Sequence, residues 1–150
     1  MTAEDLTTIE VDQFFPHPPA KVWRALTEPE LIAQWMMPGD FRLEVGHRYT
    51  MQSRPVAASG FSGLIQAEVL AFEVDKLLRI GWRDAAPVDG PGPDWTITWT
   101  LQEEGHGTRL LLLHEGFDPD DPLQQQARTI MNGGWRTGVP RALANLLDLL

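Results

Sequence analysis

The chain has 150 residues, no cysteine and a formal charge of −9, which fits one domain spanning 1–150 that buries about two-thirds of the surface of its unfolded form. Without cysteine there are no disulfides, thiolate nucleophiles or thiolate metal sites. The acidic balance argues against nucleic acid and anionic membrane surfaces, both of which need clustered Lys and Arg.

The opening "MTAEDLTTIE" carries early acids and no apolar core, so it reads as no signal peptide. No apolar run approaches the length of a membrane span, and the expected setting is soluble and cytoplasmic. From Leu6 to Phe15, Ile9 and Val11 alternate with polar residues, which predicts a strand. Pro16, Pro18 and Pro19 end it, and Pro18-Pro19 suits a helix start, where a missing N–H costs nothing. Val22, Trp23 and Leu26 give that helix an apolar stripe. Thr27 to Glu30 has capping-box spacing; Leu31, Ile32 and Trp35 then share one side of a second short helix, which Pro38-Gly39 stops.

Beyond Phe41 the period falls to two. Phe41, Leu43 and Val45 alternate up to a turn at Gly46, and Tyr49 and Met51 alternate after it. Phe61 to Val74 and Leu77 to Trp82 read as two further strands meeting near Asp75-Lys76. In "DWTITWTLQE", Trp95, Ile97, Trp99 and Leu101 share one face and threonines the other. "EEGHG" predicts a tight hairpin into Thr108 to Glu115, whereas "DAAPVDGPGPD" is too rich in Pro and Gly to be anything but a loop. After Asp118 to Pro122, which supply caps and N-terminal acids, apolar residues recur every three or four positions to Leu150. Gly133-Gly134 and Pro140 predict a bend or break in this helix just before Pro140.

The resulting order is strand, two short helices, antiparallel strands, long helix: an α+β chain. A sheet with a single apolar face needs a cover, and the long helix supplies it. The two short helices are below the roughly 12–15 residues at which isolated helices become marginal. They must be held by tertiary contact.

Four segments resemble one family. "PHPPAKVWRALTEPELIAQWMMP", "LEVGHRYTM", "GTRLLLLHEGF" and "GGWRTGVPRAL" are similar, in this order, to signatures of the START-like or SRPBCC superfamily, in the branch named after the activator of Hsp90 ATPase. In the second segment, His47 stands where a second glycine is common. The resemblance implies a helix-grip fold, in which a curved antiparallel sheet of six or seven strands wraps a long C-terminal helix around an apolar cavity. It also implies two classes of partner: lipid-like, polyketide or aromatic small molecules, and a chaperone. The chaperone-stimulating domain of the eukaryotic activator has no counterpart here.

His114 shares strand parity with Leu110 and Leu112, so it points toward the apolar side. It is either a core histidine satisfied by a neighbour or the group that holds a ligand's polar head or moves a proton. Trp95 and Trp99, with Trp82 beside them, are both core residues and potential flat walls for a ligand. The expected lining of a cavity of several hundred cubic ångströms is Trp35, Trp82, Trp95, Ile97, Trp99, Leu112 and His114, with Met131 and Trp135 from the long helix. The four histidines, His17, His47, His106 and His114, show no pair at helical metal-ligand spacing, and Asp118, Asp120 and Asp121 read as caps. No metal or cofactor is expected. The leading function is binding of a small hydrophobic molecule; the alternatives are a chaperone-associated interaction module and a cyclase or isomerase using His114. The sequence leaves the oligomeric state open, a homodimer among the options.

Overall fold

Runs in which apolar and polar residues alternate become strands in the computed structural model, which describes residues 5–53, 61–87 and 92–150. These are β1 (Thr8–Phe15), β2 (Arg48–Gln52), β3 (Leu64–Glu73), β4 (Leu77–Asp84), β5 (Asp94–Glu104) and β6 (Gly107–Glu115). They form one antiparallel sheet in the order β1-β6-β5-β4-β3-β2. Every second side chain points inward, and one row across the sheet reads Val69, Ile80, Ile97, His114, Ile9. A bulge between Val69 and Ala71 on β3 adds local twist and helps the sheet curve. At the β5–β6 hairpin, Gly105 has φ +59, the positive value that a type II′ turn needs at its first position.

Two helices follow β1: α1 (Pro19–Thr27) and α2 (Pro29–Trp35). Their buried side is Val22, Trp23, Leu26, Leu31, Ile32 and Trp35, and the Trp35 indole donates to the Ala25 carbonyl at 2.7 Å, locking one helix to the other. The expected capping box is not formed. Pro29 takes the first helical position, which shifts the N-cap to Glu28. Thr27 stays in the last turn of α1, its hydroxyl donating back to the Trp23 carbonyl.

A second expectation also fails. Phe41, Leu43 and Val45 do not form a strand; this stretch touches the sheet edge by a single bridge from Gly39 to Met51. The turn closed by the His47 amide on the Glu44 carbonyl, at 3.0 Å, bends the chain before a ladder can extend. Phe41 is nonetheless buried edge-to-face on Tyr49, and Val45 is exposed.

The C-terminal helix covers the inner face. It comprises α3 (Pro122–Gly133), a π-helical turn (Gly134–Gly138) and α4 (Val139–Leu149). Asp121 caps it, accepting from the Leu123 amide. Where a bend or break was expected, the backbone stays helical and widens: the Val139 N–H donates five residues back, to Gly134. The wider turn makes the room that a proline ring needs beside the carbonyl four residues earlier. Side chains of this helix also cap the free edge of β1. Arg128 donates to the Thr8 and Asp5 carbonyls, Gln125 to Leu6, and Arg136 to Glu10. Those carbonyls would otherwise invite another strand. At the far end, His17 bridges Lys21 and Asp148, accepting at Nδ1 from the ammonium and donating from Nε2 to the carboxylate. Among the described residues no helix is long and apolar enough to cross a membrane.

Adjacent positions on α4 separate burial from surface charge. Leu147 is fully buried, while Asp148 is exposed apart from its bond to His17. Leu147→Ala is expected to lower unfolding stability by about 2–5 kcal/mol, and Asp148→Ala by less than about 1 kcal/mol, both read from urea denaturation.

Candidate functional site

Aromatic rings fill the space between sheet and C-terminal helix. Trp99 on β5 sits at the centre, edge-to-face with Trp35 of α2 and with Trp135 of the π turn, both at 6.1 Å between centroids. Trp95, four residues back on the same face, lies 5.0 Å from His114 and 4.7 Å from Phe117. Phe117 reaches the His114 ring because Gly116 turns the chain with φ +105, which side-chain-bearing residues rarely adopt. A Cβ at Gly116 would also stand 2.8 Å from the Asp94 carbonyl oxygen.

His114 has 0% of its surface exposed and lies in the middle of the Val-Ile row of the sheet. The Trp135 indole N–H donates to its Nδ1 at 3.1 Å. Indole has no acceptor to offer, so Nδ1 is the unprotonated nitrogen and the neutral ring carries its hydrogen on Nε2. Among the described residues that Nε2 has no hydrogen-bond partner. Leaving a buried donor unmatched costs about 1–3 kcal/mol, and an N–H over an aromatic face recovers only part of it. Burial pushes the imidazole pKa down to about 3, with no charged neighbour contributing. The histidine is therefore neutral at physiological pH.

A cavity of about 20 Å³ lies a short way from this ring, at the seam between β1 and the C-terminal helix. It is room for about one water molecule, well short of the several hundred cubic ångströms expected. Its walls are Val11, Gln13 and Phe15 of β1, Leu110 and Leu112 of β6, Trp99, and Trp135, Val139, Pro140 and Leu143 of the helix. Of the expected lining, Trp99, Leu112 and Trp135 meet here. Trp82, Trp95, Ile97 and His114 are buried on the inner face of the sheet, and Trp35 is buried on α2, but none of them touches this cavity; Met131 is half-buried on α3.

Sequence reasoning missed the contribution of β1. Its signal was present: Ile9, Val11, Gln13 and Phe15 share one parity, and Gln13 is the polar exception among apolar neighbours. Phe117 was missed as the ring packed at a tilt against His114, 4.5 Å between centroids, because a residue beyond a strand end has no readable parity. Among the described residues no group of three or more His, Asp or Glu side chains could hold a metal ion.

The His114 ring has a definite pH signature. Its folded pKa lies below the unfolded value of 6.5, so between these limits the unfolded chain binds the extra proton. This contribution is absent above about pH 6.5 and destabilises increasingly as pH falls toward 3, by up to about 1.4 kcal/mol per pH unit. His114→Phe removes the titration and orphans the Trp135 N–H. We expect a loss of about 1–3 kcal/mol at pH 7.5 and a shallower decline in stability between pH 6 and 4 than in the wild type.

The comparisons with known proteins agree with this architecture. Residues 16–148 match the family described as activator of Hsp90 ATPase homolog 1-like protein. The structure of MLL2253 from Mesorhizobium loti is 34% identical and superposes with a TM-score of 0.82, covering 95% of this chain and 97% of its own. DynU16, from the dynemicin biosynthetic locus, shares the fold at 24% identity and a TM-score of 0.74, covering 97% of this chain and 48% of its own. PFC0360w, an HSP90 activator from Plasmodium falciparum, shares it at 15% identity and a TM-score of 0.70, covering 95% and 96%. No curated protein matches the sequence. By the match over residues 16–148, the chain belongs to the family of activator of Hsp90 ATPase homolog 1-like proteins.

Proposed function

We propose that this protein binds a small, largely apolar molecule between the sheet and the C-terminal helix, at the seam where the cavity lies. One observation carries the reading: the helix is wound as a π turn directly over that apolar cavity, through Trp135. Such turns occur often at functional sites because their hydrogen bonding is looser than an α-helix's. Gly133, Gly134 and Gly138 leave nothing packed where their side chains would be, so Trp135 is the buried side chain that ties this turn to the core. Small-molecule sites typically occupy about 300–1,000 Å³, so the helix lifts from β1 to admit the ligand. Trp99, Leu112 and Trp135 line the site first. Trp35, Trp82, Trp95, Ile97, His114 and Met131 are the further walls that an opened site reaches.

The chemistry favours binding over catalysis. A histidine protonated only near pH 3 is a poor base at pH 7, where an efficient one has a pKa close to the operating pH. A chaperone partner is the second reading. It is favoured by the family match and by the fold shared with the Plasmodium activator, and stimulation of an Hsp90 ATPase by the purified chain would support it.

Native mass spectrometry of protein purified from its own host tests the first reading. The expected result is a mass above that of the chain, released as a small organic molecule on denaturation. Replacing Gly134 and Gly138 by Ala should stiffen the turn, adding up to about 1 kcal/mol of stability per site, and slow ligand exchange. A bare chain mass, with no change in melting temperature across a panel of apolar compounds, would remove the reading.

A further inference from the structure

Resting on the binding reading above, we propose that the ligand is electrically neutral and carries a hydrogen-bond acceptor, such as a ketone, ester or quinone oxygen, that takes the Nε2–H of His114. The geometry leaves this nitrogen little else to do. Trp135 holds Nδ1, which places the hydrogen on Nε2. The ring has no exposed surface, and among the described residues Nε2 has no partner. Its ring neighbours are Trp95, Phe117 and Trp135, which present flat apolar faces and no strong acceptor. The amide oxygen of Gln124, which accepts from the neighbouring Trp95 indole, is also engaged by the Asp118 amide.

The same surroundings decide the ligand's charge. A carboxylate placed here would lose its water without a cation to replace it, and such burial is prohibitive unless the charge is paired. Among the described residues the buried cation is Arg128, and the Thr8 and Asp5 carbonyls hold its guanidinium. A neutral oxygen loses far less on desolvation and regains it from the imidazole. Trp135 connects this anchor to the cavity, since its N–H fixes the imidazole and its ring forms part of the cavity wall. A ligand that enters under the π turn meets Trp135 at the cavity wall, and its acceptor has to pass the indole to reach the Nε2–H, which points away from Trp135 because Nδ1 faces it.

Three probes with one ring system test the proposal: 2-ethylnaphthalene, 2-acetylnaphthalene and 2-naphthoate, titrated into wild type, His114→Phe and His114→Gln. In the wild type 2-acetylnaphthalene should bind about tenfold more tightly than 2-ethylnaphthalene, the ratio expected for one buried hydrogen bond, and 2-naphthoate should be weakest. The tenfold advantage should vanish in His114→Phe and persist in part in His114→Gln, which keeps an N–H donor. A measurement on the wild type alone guards against a variant that fails to fold. The histidine Nε2–H signal in a ¹⁵N-edited spectrum should shift with 2-acetylnaphthalene and not with 2-ethylnaphthalene. Equal binding of those two probes, or tight binding of 2-naphthoate, overturns the proposal and leaves the binding reading standing. Failure of all three to bind removes both.

Discussion

An inner sheet face carrying Trp82, Trp95 and Trp99 cannot be left in water. Burying each of these side chains is worth several kcal/mol, and the rest of the chain is arranged to achieve it. The C-terminal helix lies across the face, α1 and α2 pack against α4 and the end of the sheet, and the bulge on β3 helps bend the sheet around them. The short helices exist for this reason. Neither has the length to be stable alone, and both gain their order from the surface they cover.

The helix that covers the face has two requirements that pull against each other. It must stay helical to satisfy its own backbone, and it must pass Gly133-Gly134 and then Pro140 while keeping Trp135 pointed into the core. The π turn reconciles them. It admits the proline without breaking the helix and places Trp135 so that its ring packs on Trp99 while its N–H reaches His114. The same turn contributes Trp135 to the wall of the cavity.

His114 shows how a polar residue is kept in an apolar row. Surrounded across the sheet by Ile97 and Ile9, it satisfies one nitrogen through Trp135 and leaves the other unmatched. An isoleucine in its place would remove that cost and also the link between sheet and helix. The structural and functional readings of this histidine are therefore compatible: one nitrogen braces the helix, and the other is left for the acceptor that the proposal calls for.

Local chemistry made much of this legible. Alternation and short apolar runs pointed to all six strands, proline and aspartate marked the helix starts, and the inward direction of Trp95, Trp99 and His114 followed from counting. Those features depend on residues a few positions apart, so a linear reading reaches them. The failures came where distant parts of the chain decide. Phe41 to Val45 alternates like a strand but has only the Gly39 bridge to the sheet edge; the Thr27 cap lost to the position of Pro29; and Pro140 gave a π turn in place of a break because Trp135 had to remain in the core. The cavity lies against β1, more than a hundred residues from the helix that roofs it. The unmatched Nε2 depends on a tryptophan reaching back from that same helix. Parity tells which way a side chain points; only packing decides what it meets there.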